Sequence, residues 1–269
     1  MARVRAILID IDGVLTVSWR ALPGAPEALD WLRAAGLKVV LLTNTTSLTR
    51  VRLESALAKA GFGVDADDIL TAPTVTAAYL ASHYPGARCT LLNSGDISED
   101  MAGVTIVADD DPAPDVVVVG GAGPEFSYAA LNRAFGHLRR GARLVAMHRS
   151  LYWRTDVGLE LDAGAFVLAL ETAAGVDAEV TGKPADAFFA AALATVQVSP
   201  AEAVMVGDDV ETDVAGAQRH GVTGVLVKTG KYLPEAVQNA SATPDHVIDS
   251  FADLPGLVRR MTELGSRGR

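Results

Sequence analysis

Residues 5–16 read RAILIDIDGVLT, and the spacing of the two acids in this stretch sets the reading of the whole chain. An apolar run of strand type ends in Asp10 and Asp12, with Gly13 directly after. Side chains on a strand alternate between faces with a period of two, so both carboxylates leave the same face at the same end. Like charges held that close repel unless a cation or a reaction makes use of them. Taken alone, the stretch reads equally well as a strand that ends in solvated acids at a turn.

Outward from it, strand and helix patterns alternate. APEALDWLRAAG (25–36) is a helix closed by Gly36, and LKVVLLTN (37–44) is a second strand. Its continuous apolar run suits a parallel sheet covered on both faces. Residues 47–60 are expected to form a helix stopped by Gly61. EAVMVGDD (202–209), ETDVAGAQRHG (211–221) and TGVLVKTG (223–230) repeat strand, helix and strand, DHVID (245–249) adds a strand, and a final helix runs through Leu264. The expected fold class is α/β, a Rossmann-like doubly wound parallel sheet, in which ligands sit beyond the carboxyl ends of the strands. Asp10, Thr43 and Asp208 all fall at such ends. In the middle of the chain, CTLLNS (89–94), VTIVAD (104–109), DVVVVGG (115–121) and RLVAMH (143–148) are strand candidates, and 127–140 is a helix. Residues 77–177 are therefore assigned to a second α/β unit inserted into a core made of 1–76 and 178–269. The tail GSRGR (265–269) is expected to fray.

Composition narrows the function classes. The 269 residues are 49% hydrophobic and carry a net charge of -10, with no block of Lys or Arg. That argues against binding to nucleic-acid backbone or anionic membrane. An acidic protein that handles anions needs local cations or a metal at its site. The single cysteine, Cys89, cannot form an internal disulfide, which fits a reducing compartment. The apolar run after the N-terminal Arg residues meets Asp10 and Asp12 too early for a secretory signal, and no apolar stretch approaches the ~20 residues of a spanning helix. A soluble, cytoplasmic protein is expected. The five histidines show no metal-ligand spacing, so zinc is not supported. GGAG at 120–123 lacks the spacing of a dinucleotide loop and reads as a strand-end turn.

Three further segments carry candidate chemistry. Thr43, Asn44 and Thr45 follow the second strand and are expected to open a helix, where hydroxyls and free N–H groups favour an anion; ordinary helix capping is the competing reading. Lys183 lies in VTGKPADAFF (180–189) at a turn constrained by Gly182 and Pro184, or is simply a surface lysine. Asp208, Asp209 and Asp213 follow a buried strand and a glycine, as in a site for a hard metal ion, or are acids that complement a helix N-terminus. Hydrolysis of a phosphate ester needs a carboxylate nucleophile, an acid/base, a divalent cation such as Mg²⁺, and donors for the phosphoryl oxygens. On that reading Asp10 is nucleophile and metal ligand. Asp12 is acid/base, with its backbone carbonyl as a further metal ligand.

Each motif is modest alone, but the order D-x-D-G, T-N, G-K-P, G-D-D-x-x-x-D at strand ends is specific. It resembles the haloacid dehalogenase (HAD) superfamily of aspartate-nucleophile phosphatases, over nearly the whole chain. The insertion between T-N and G-K-P is similar to the type IIA, NagD-like arrangement with an α/β cap. TNTT (43–46), SYAALNRAF (127–135), GLELDAGAFVLALETAAG (158–175), GKPADAFF (182–189), AVMVGDDVETDVAGAQ (203–218) and VKTGKY (227–232) carry the likeness further. The resemblance implies a Mg²⁺-dependent phosphatase acting on a small phosphorylated substrate. Asp10 would be the nucleophile, Asp12 the acid/base, and Thr43 and Asn44 the phosphate-binding motif, beside Thr45 from the reading of the residues. Lys183 would stabilise charge, and Asp10, Asp12 and Asp208 would hold the metal. Asp213 would orient Lys183 or a metal-bound water, Asp209 could share that role, and spacing does not choose between them. An acid at Asp12 points to phosphoester chemistry rather than dehalogenation. Phosphohistidine, phospholysine or pyrophosphate is the alternative substrate class. A phosphomutase and a phospho-ligand binding protein without turnover are the other readings. His148, Arg149, Tyr152, Trp153 and Arg154 are cap candidates for specificity, against a plain cap surface or a dimer contact, and relatives suggest a homodimer through the cap.

Overall fold

The computed structural model describes residues 3–155 and 158–266, with backbone only for 153–155 and 263–266. In chain order its elements begin with β1 (Ala6–Asp10), β2 (Thr16–Val17), β3 (Arg20–Ala21), α1 (Ala25–Ala34), β4 (Lys38–Thr43), α2 (Arg50–Lys59) and β5 (Ile69–Thr71). They continue with α3 (Ala72–His83), β6 (Arg88–Leu92), β7 (Thr105–Ile106), β8 (Val116–Val119), α4 (Tyr128–Arg139), β9 (Arg143–Ala146), β10 (Tyr152–Thr155), β11 (Gly158–Leu161), α5 (Ala163–Ala174) and β12 (Glu179–Val180). The chain ends with α6 (Asp186–Val196), β13 (Ala203–Gly207), α7 (Gly216–Gln218), β14 (Thr223–Val227), α8 (Pro234–Gln238), β15 (His246–Ile248) and α9 (Leu254–Ser266). Two compact units result. One comprises residues up to 43, 50–70 and from 183 onward; the other comprises 44–49 and 71–182.

The first unit is built on a six-stranded sheet ordered β15-β14-β13-β1-β4-β5. β1 pairs in parallel with both β13 and β4. Every residue of β1 and of β13 is buried, as strands covered on both faces require. Helices supply the cover through one apolar stripe each. α1 buries Ala25, Ala28, Leu29 and Leu32, and α6 buries Phe188, Phe189, Ala192 and Val196. Each large side chain so buried contributes roughly 1.5–3 kcal/mol of transfer free energy. The chain runs outward from β1 through β4 to β5, then returns beside β1 at β13 and runs outward the other way. The switch point between β1 and β13 is where such sheets place their ligands. Asp10 ends one strand there, and Asp208 directly follows the other.

The second unit is α/β as well. Its sheet is ordered β12-β9-β8-β6-β7, with parallel pairing throughout. α4 and α5 pack on it through a core that includes Val117, Val119, Leu138, Leu144, Val167 and Leu170. Ser127 caps α4, and Asp162 caps α5. β10 and β11 form an antiparallel hairpin.

Several local expectations are corrected. The helix placed at 47–60 starts only at Arg50. Before it, the carbonyl of Thr46 accepts from Asn93 Nδ2 (3.0 Å) and its hydroxyl accepts from the Gly121 N–H (2.7 Å). These bonds tie the segment to the ends of β6 and β8 instead of to a first helical turn. Asn44 and Thr45 therefore do not open a helix. The helix placed at 211–221 is a π-helical stretch, Val210–Ala215, followed by the short α7. VTIVAD contributes only the two residues of β7. α9 runs on to Ser266, and the last three residues of GSRGR lie outside the described ones. Among the described residues no helix is long and apolar enough to cross a membrane.

One polar cluster staples the second unit. Glu179 on β12 accepts from Tyr79 Oη (2.6 Å), Tyr84 Oη and Arg143 Nη2 (2.9 Å). Partial burial works against the Glu179 carboxylate, but these three donors outweigh it and hold its pKa below the usual value. Glu179→Ala should cost about 1.5–3 kcal/mol in thermal or urea unfolding at neutral pH. Because the folded pKa is depressed, this contribution is present above the unfolded value and lost as pH falls through the folded one. The unfolding curves of the two proteins should converge below about pH 4.

Candidate active site

Asp10, Lys183, Asp208 and Asp213 meet at the switch point of the first unit, and all four are buried. Lys183 Nζ lies 2.5 Å from Asp10 Oδ1 and 2.7 Å from Asp213 Oδ1. The other Asp213 oxygen accepts from the Asp209 N–H at 3.2 Å. Asp209 turns its own Oδ1 to the N–H groups of Glu211 and Thr212, each at 3.0 Å. The choice left open by spacing falls to Asp213, which binds Lys183, whereas Asp209 caps the π-helical stretch. Asp208 Oδ2 accepts from the Lys231 backbone N–H at 2.7 Å, and its Oδ1 is buried with no hydrogen-bond partner among the described residues.

The backbone comes this close because two glycines allow it. A Cβ on Gly13 would lie 2.0 Å from Asp208 Oδ2, and one on Gly230 only 1.9 Å from the same atom. Both have positive φ, +83° and +58°, which favours glycine. The hydroxyl of Thr229 donates to the Gly13 carbonyl and ties the two loops together. The segment Thr229–Lys231 thus belongs to the site, and sequence reasoning gave it no role. The signal was present in VKTGKY, a strand followed by a glycine and a lysine.

The remaining predicted residues are placed less tightly. Asp12 is exposed beside the buried set, near enough that its charge raises the pKa of Asp10. Thr43 is buried at the end of β4, one residue beyond Leu42, the partner of Asp10 in register. Asn44 and Thr45 fall in the second unit, where a Cβ on Gly182 would come within 2.6 Å of Asn44 Oδ1. Also in that unit, His148 is buried, Arg149 pairs with Glu171, and Tyr152 is exposed. The side chains of Trp153 and Arg154 lie outside the described residues.

Burial dominates the electrostatics. It pushes Asp10 up despite the opposing ammonium of Lys183. It raises Asp208 to about 8, helped by the charges of Asp10 and Asp213, and Asp213 to about 6. Burial alone would lower Lys183, but the carboxylates of Asp10 and Asp213 outweigh it and keep the ammonium charged. Oxygens of Asp10, Asp208 and Asp213 lie within 4.8 Å of one another. Hard oxygen donors, an excess of negative charge and the unpartnered Asp208 Oδ1 fit a divalent cation of the Mg²⁺ type. The raised pKa of Asp208 also fixes a sign. Without metal, its contribution to stability is present below the unfolded value near 4 and is lost as pH rises through about 8. Asp208→Asn should therefore melt several degrees above the parent at pH 8–9 in chelator, with the gap closing toward pH 4. Differential scanning fluorimetry across that range checks it.

Comparison with known proteins agrees with this geometry. The family model described as haloacid dehalogenase-like hydrolase matches residues 7–107, and the one described as HAD-hydrolase-like matches 180–254. The chain is 39% identical over 248 residues to haloacid dehalogenase-like hydrolase domain-containing protein 2 of Mus musculus, covering 92% of this chain and 93% of that protein. It is 36% identical over 256 residues to phospholysine phosphohistidine inorganic pyrophosphate phosphatase of Xenopus laevis, covering 93% and 92%. The fold is similar to that of the glycerol phosphate phosphatase of Mycobacterium tuberculosis crystallised with magnesium. The TM-score is 0.85 at 28% identity, covering 94% of this chain and 76% of that one. With the acid set of D-x-D-G, G-K-P and G-D-D-x-x-x-D gathered at one switch point, the chain belongs to the haloacid dehalogenase-like hydrolase family.

Proposed function

We propose that this hydrolase is a phosphatase that cleaves the phosphomonoester of a small molecule through an aspartyl-phosphate on Asp10. The observation that carries the reading is the buried Lys183 ammonium shared between Asp10 and Asp213. It fixes the Asp10 carboxylate at a strand end, where one oxygen is held and the other is left to attack. In the first step an Asp10 oxygen bonds to phosphorus while the bond to the ester oxygen breaks, and Asp12 gives that oxygen a proton. In the second, Asp12 takes a proton from water. That water's oxygen attacks the phosphorus, releasing inorganic phosphate and restoring Asp10. The exposure of Asp12 suits a group that must meet both a leaving oxygen and water.

Lys183 offsets charge on the phosphoryl oxygens, Asp213 keeps Lys183 in place, and Thr43, Asn44 and Thr45 supply donors for the same oxygens. Asp10, Asp208 and the backbone carbonyl of Asp12 would hold Mg²⁺, which when bound counters the repulsion between carboxylate and phosphoryl group. The buried carboxylate cluster and the magnesium complex of the Mycobacterium tuberculosis relative support that choice of ion. Residues 77–177 act as the cap that selects the leaving group and offers a surface for a homodimer, and the protein works in the cytoplasm. A phosphoramidate or pyrophosphate substrate is the second reading, favoured by the Xenopus laevis relative.

Asp10→Asn should abolish phosphate release from p-nitrophenyl phosphate with Mg²⁺ while leaving the melting transition cooperative, and retained turnover would refute the mechanism. Asp12→Ala should lower kcat by about 10²–10⁴ for an alkyl phosphate. The loss should be much smaller for p-nitrophenyl phosphate, whose leaving group needs little protonation. A loss independent of leaving-group pKa would remove Asp12 from the acid role.

A further inference from the structure

The first unit holds a second cation that the mechanism above does not use. Lys231 follows β14 in the segment locked onto the nucleophile loop. Gly230 packs on Gly13, Thr229 donates to the Gly13 carbonyl, and the Lys231 backbone N–H binds Asp208. Its position beside the reacting groups is therefore set by backbone contacts rather than by its own side chain. Lys183 is buried and paired with two carboxylates, whereas Lys231 is exposed and makes no ion pair within 4 Å among the described residues. Its ammonium nevertheless lies in the field of the site. Partial desolvation would lower its pKa, but Asp208, Asp10, Asp213 and Asp209 together hold it above the ordinary lysine value. The influence is mutual, since Lys231 in turn lowers the pKa of Asp10 and Asp208.

An exposed ammonium with no ion pair within 4 Å among the described residues, beside the proposed phosphoryl site in a chain of net charge -10, has an evident use. We propose that Lys231 is a specificity-determining residue that receives a second anionic group of the substrate, so that the preferred substrates carry a carboxylate or further phosphate near the scissile phosphoryl group. Lys183 and the metal ligands serve the transferred phosphoryl group. Lys231, on the loop that follows β14 and with no carboxylate within 4 Å of its ammonium among the described residues, is left for the remainder of the molecule. A charge-assisted contact of this kind discriminates strongly against an otherwise matched neutral group.

The inference rests on the phosphatase reading, and one experiment separates the two. Glycerol 3-phosphate and 3-phosphoglycerate differ by a carboxylate in place of a hydroxymethyl group. Their competitive inhibition constants are measured against turnover of p-nitrophenyl phosphate with Mg²⁺, for the parent protein and for Lys231→Ala, Lys231→Gln and Lys231→Arg. The parent should bind 3-phosphoglycerate about tenfold more tightly, or better. That ratio should collapse toward one in the Ala and Gln variants and persist in the Arg variant. The backbone N–H that binds Asp208 remains in all three variants, so a changed ratio traces to the ammonium. Equal constants in the parent, or a ratio untouched by Lys231→Ala, would overturn the proposal and leave the phosphatase reading standing. An equal weakening of both inhibitors would also overturn it, because it would mark Lys231 as acting on the metal site or the phosphoryl group. No turnover of p-nitrophenyl phosphate above the Asp10→Asn blank would overturn both.

Discussion

One buried ammonium holds the centre of this molecule together. Lys183 lies between Asp10 and Asp213, with Asp208 packed against the same group. Removing such charges from water costs several kcal/mol per ion, and well-packed apolar residues of similar volume commonly serve stability as well or better. The cluster is therefore poorly explained as a device for folding. A buried cluster of this kind is more at home in a functional site, with Lys183 supplying positive charge that partly offsets the burial of Asp10 and Asp213.

The surrounding backbone answers to that constraint. Two parallel strands end side by side, so their terminal residues bring Asp10 and Asp208 together without a long loop. Gly13 and Gly230 let two further loops pass against Asp208, where a single added carbon would collide with its carboxylate. The π-helical stretch after Asp209 turns Asp213 back toward Lys183, with Asp209 capping the irregular turn. Irregular helical geometry of this sort is uncommon and recurs at functional sites.

How much of this was legible in the sequence depended on the range of the interaction involved. The central strands announced themselves because RAILID and AVMVG are apolar without alternation, which few structures other than a covered parallel sheet can use. Asp10, Lys183 and Asp208 could be nominated because each follows a strand or a constrained turn. Contacts made at a distance were not legible. The start of α2 shifted from Ser47 to Arg50 because of Asn93 and Gly121, which no local pattern at residues 44–49 reveals. Asp209 and Asp213 stayed interchangeable because a spacing of four suggests a shared α-helical face, and the backbone there is not α-helical. Lys231 went unread because its place is set by backbone contacts to Gly13 and Asp208 from elsewhere in the chain.

The bond between Lys183 and Asp10 joins residues 173 positions apart, yet both partners, with Asp12, Thr43, Asp208, Asp213 and Lys231, belong to the same compact unit. Nearly all of the intervening second unit can therefore vary in descent without altering a member of that acid and lysine set. Lineages that inherit this arrangement can accept sequence change in one stretch of the gene while the acid and lysine set, carried by two others, stays as it was. A duplicated copy can drift through most of that stretch while its acid and lysine set stays the ancestral one.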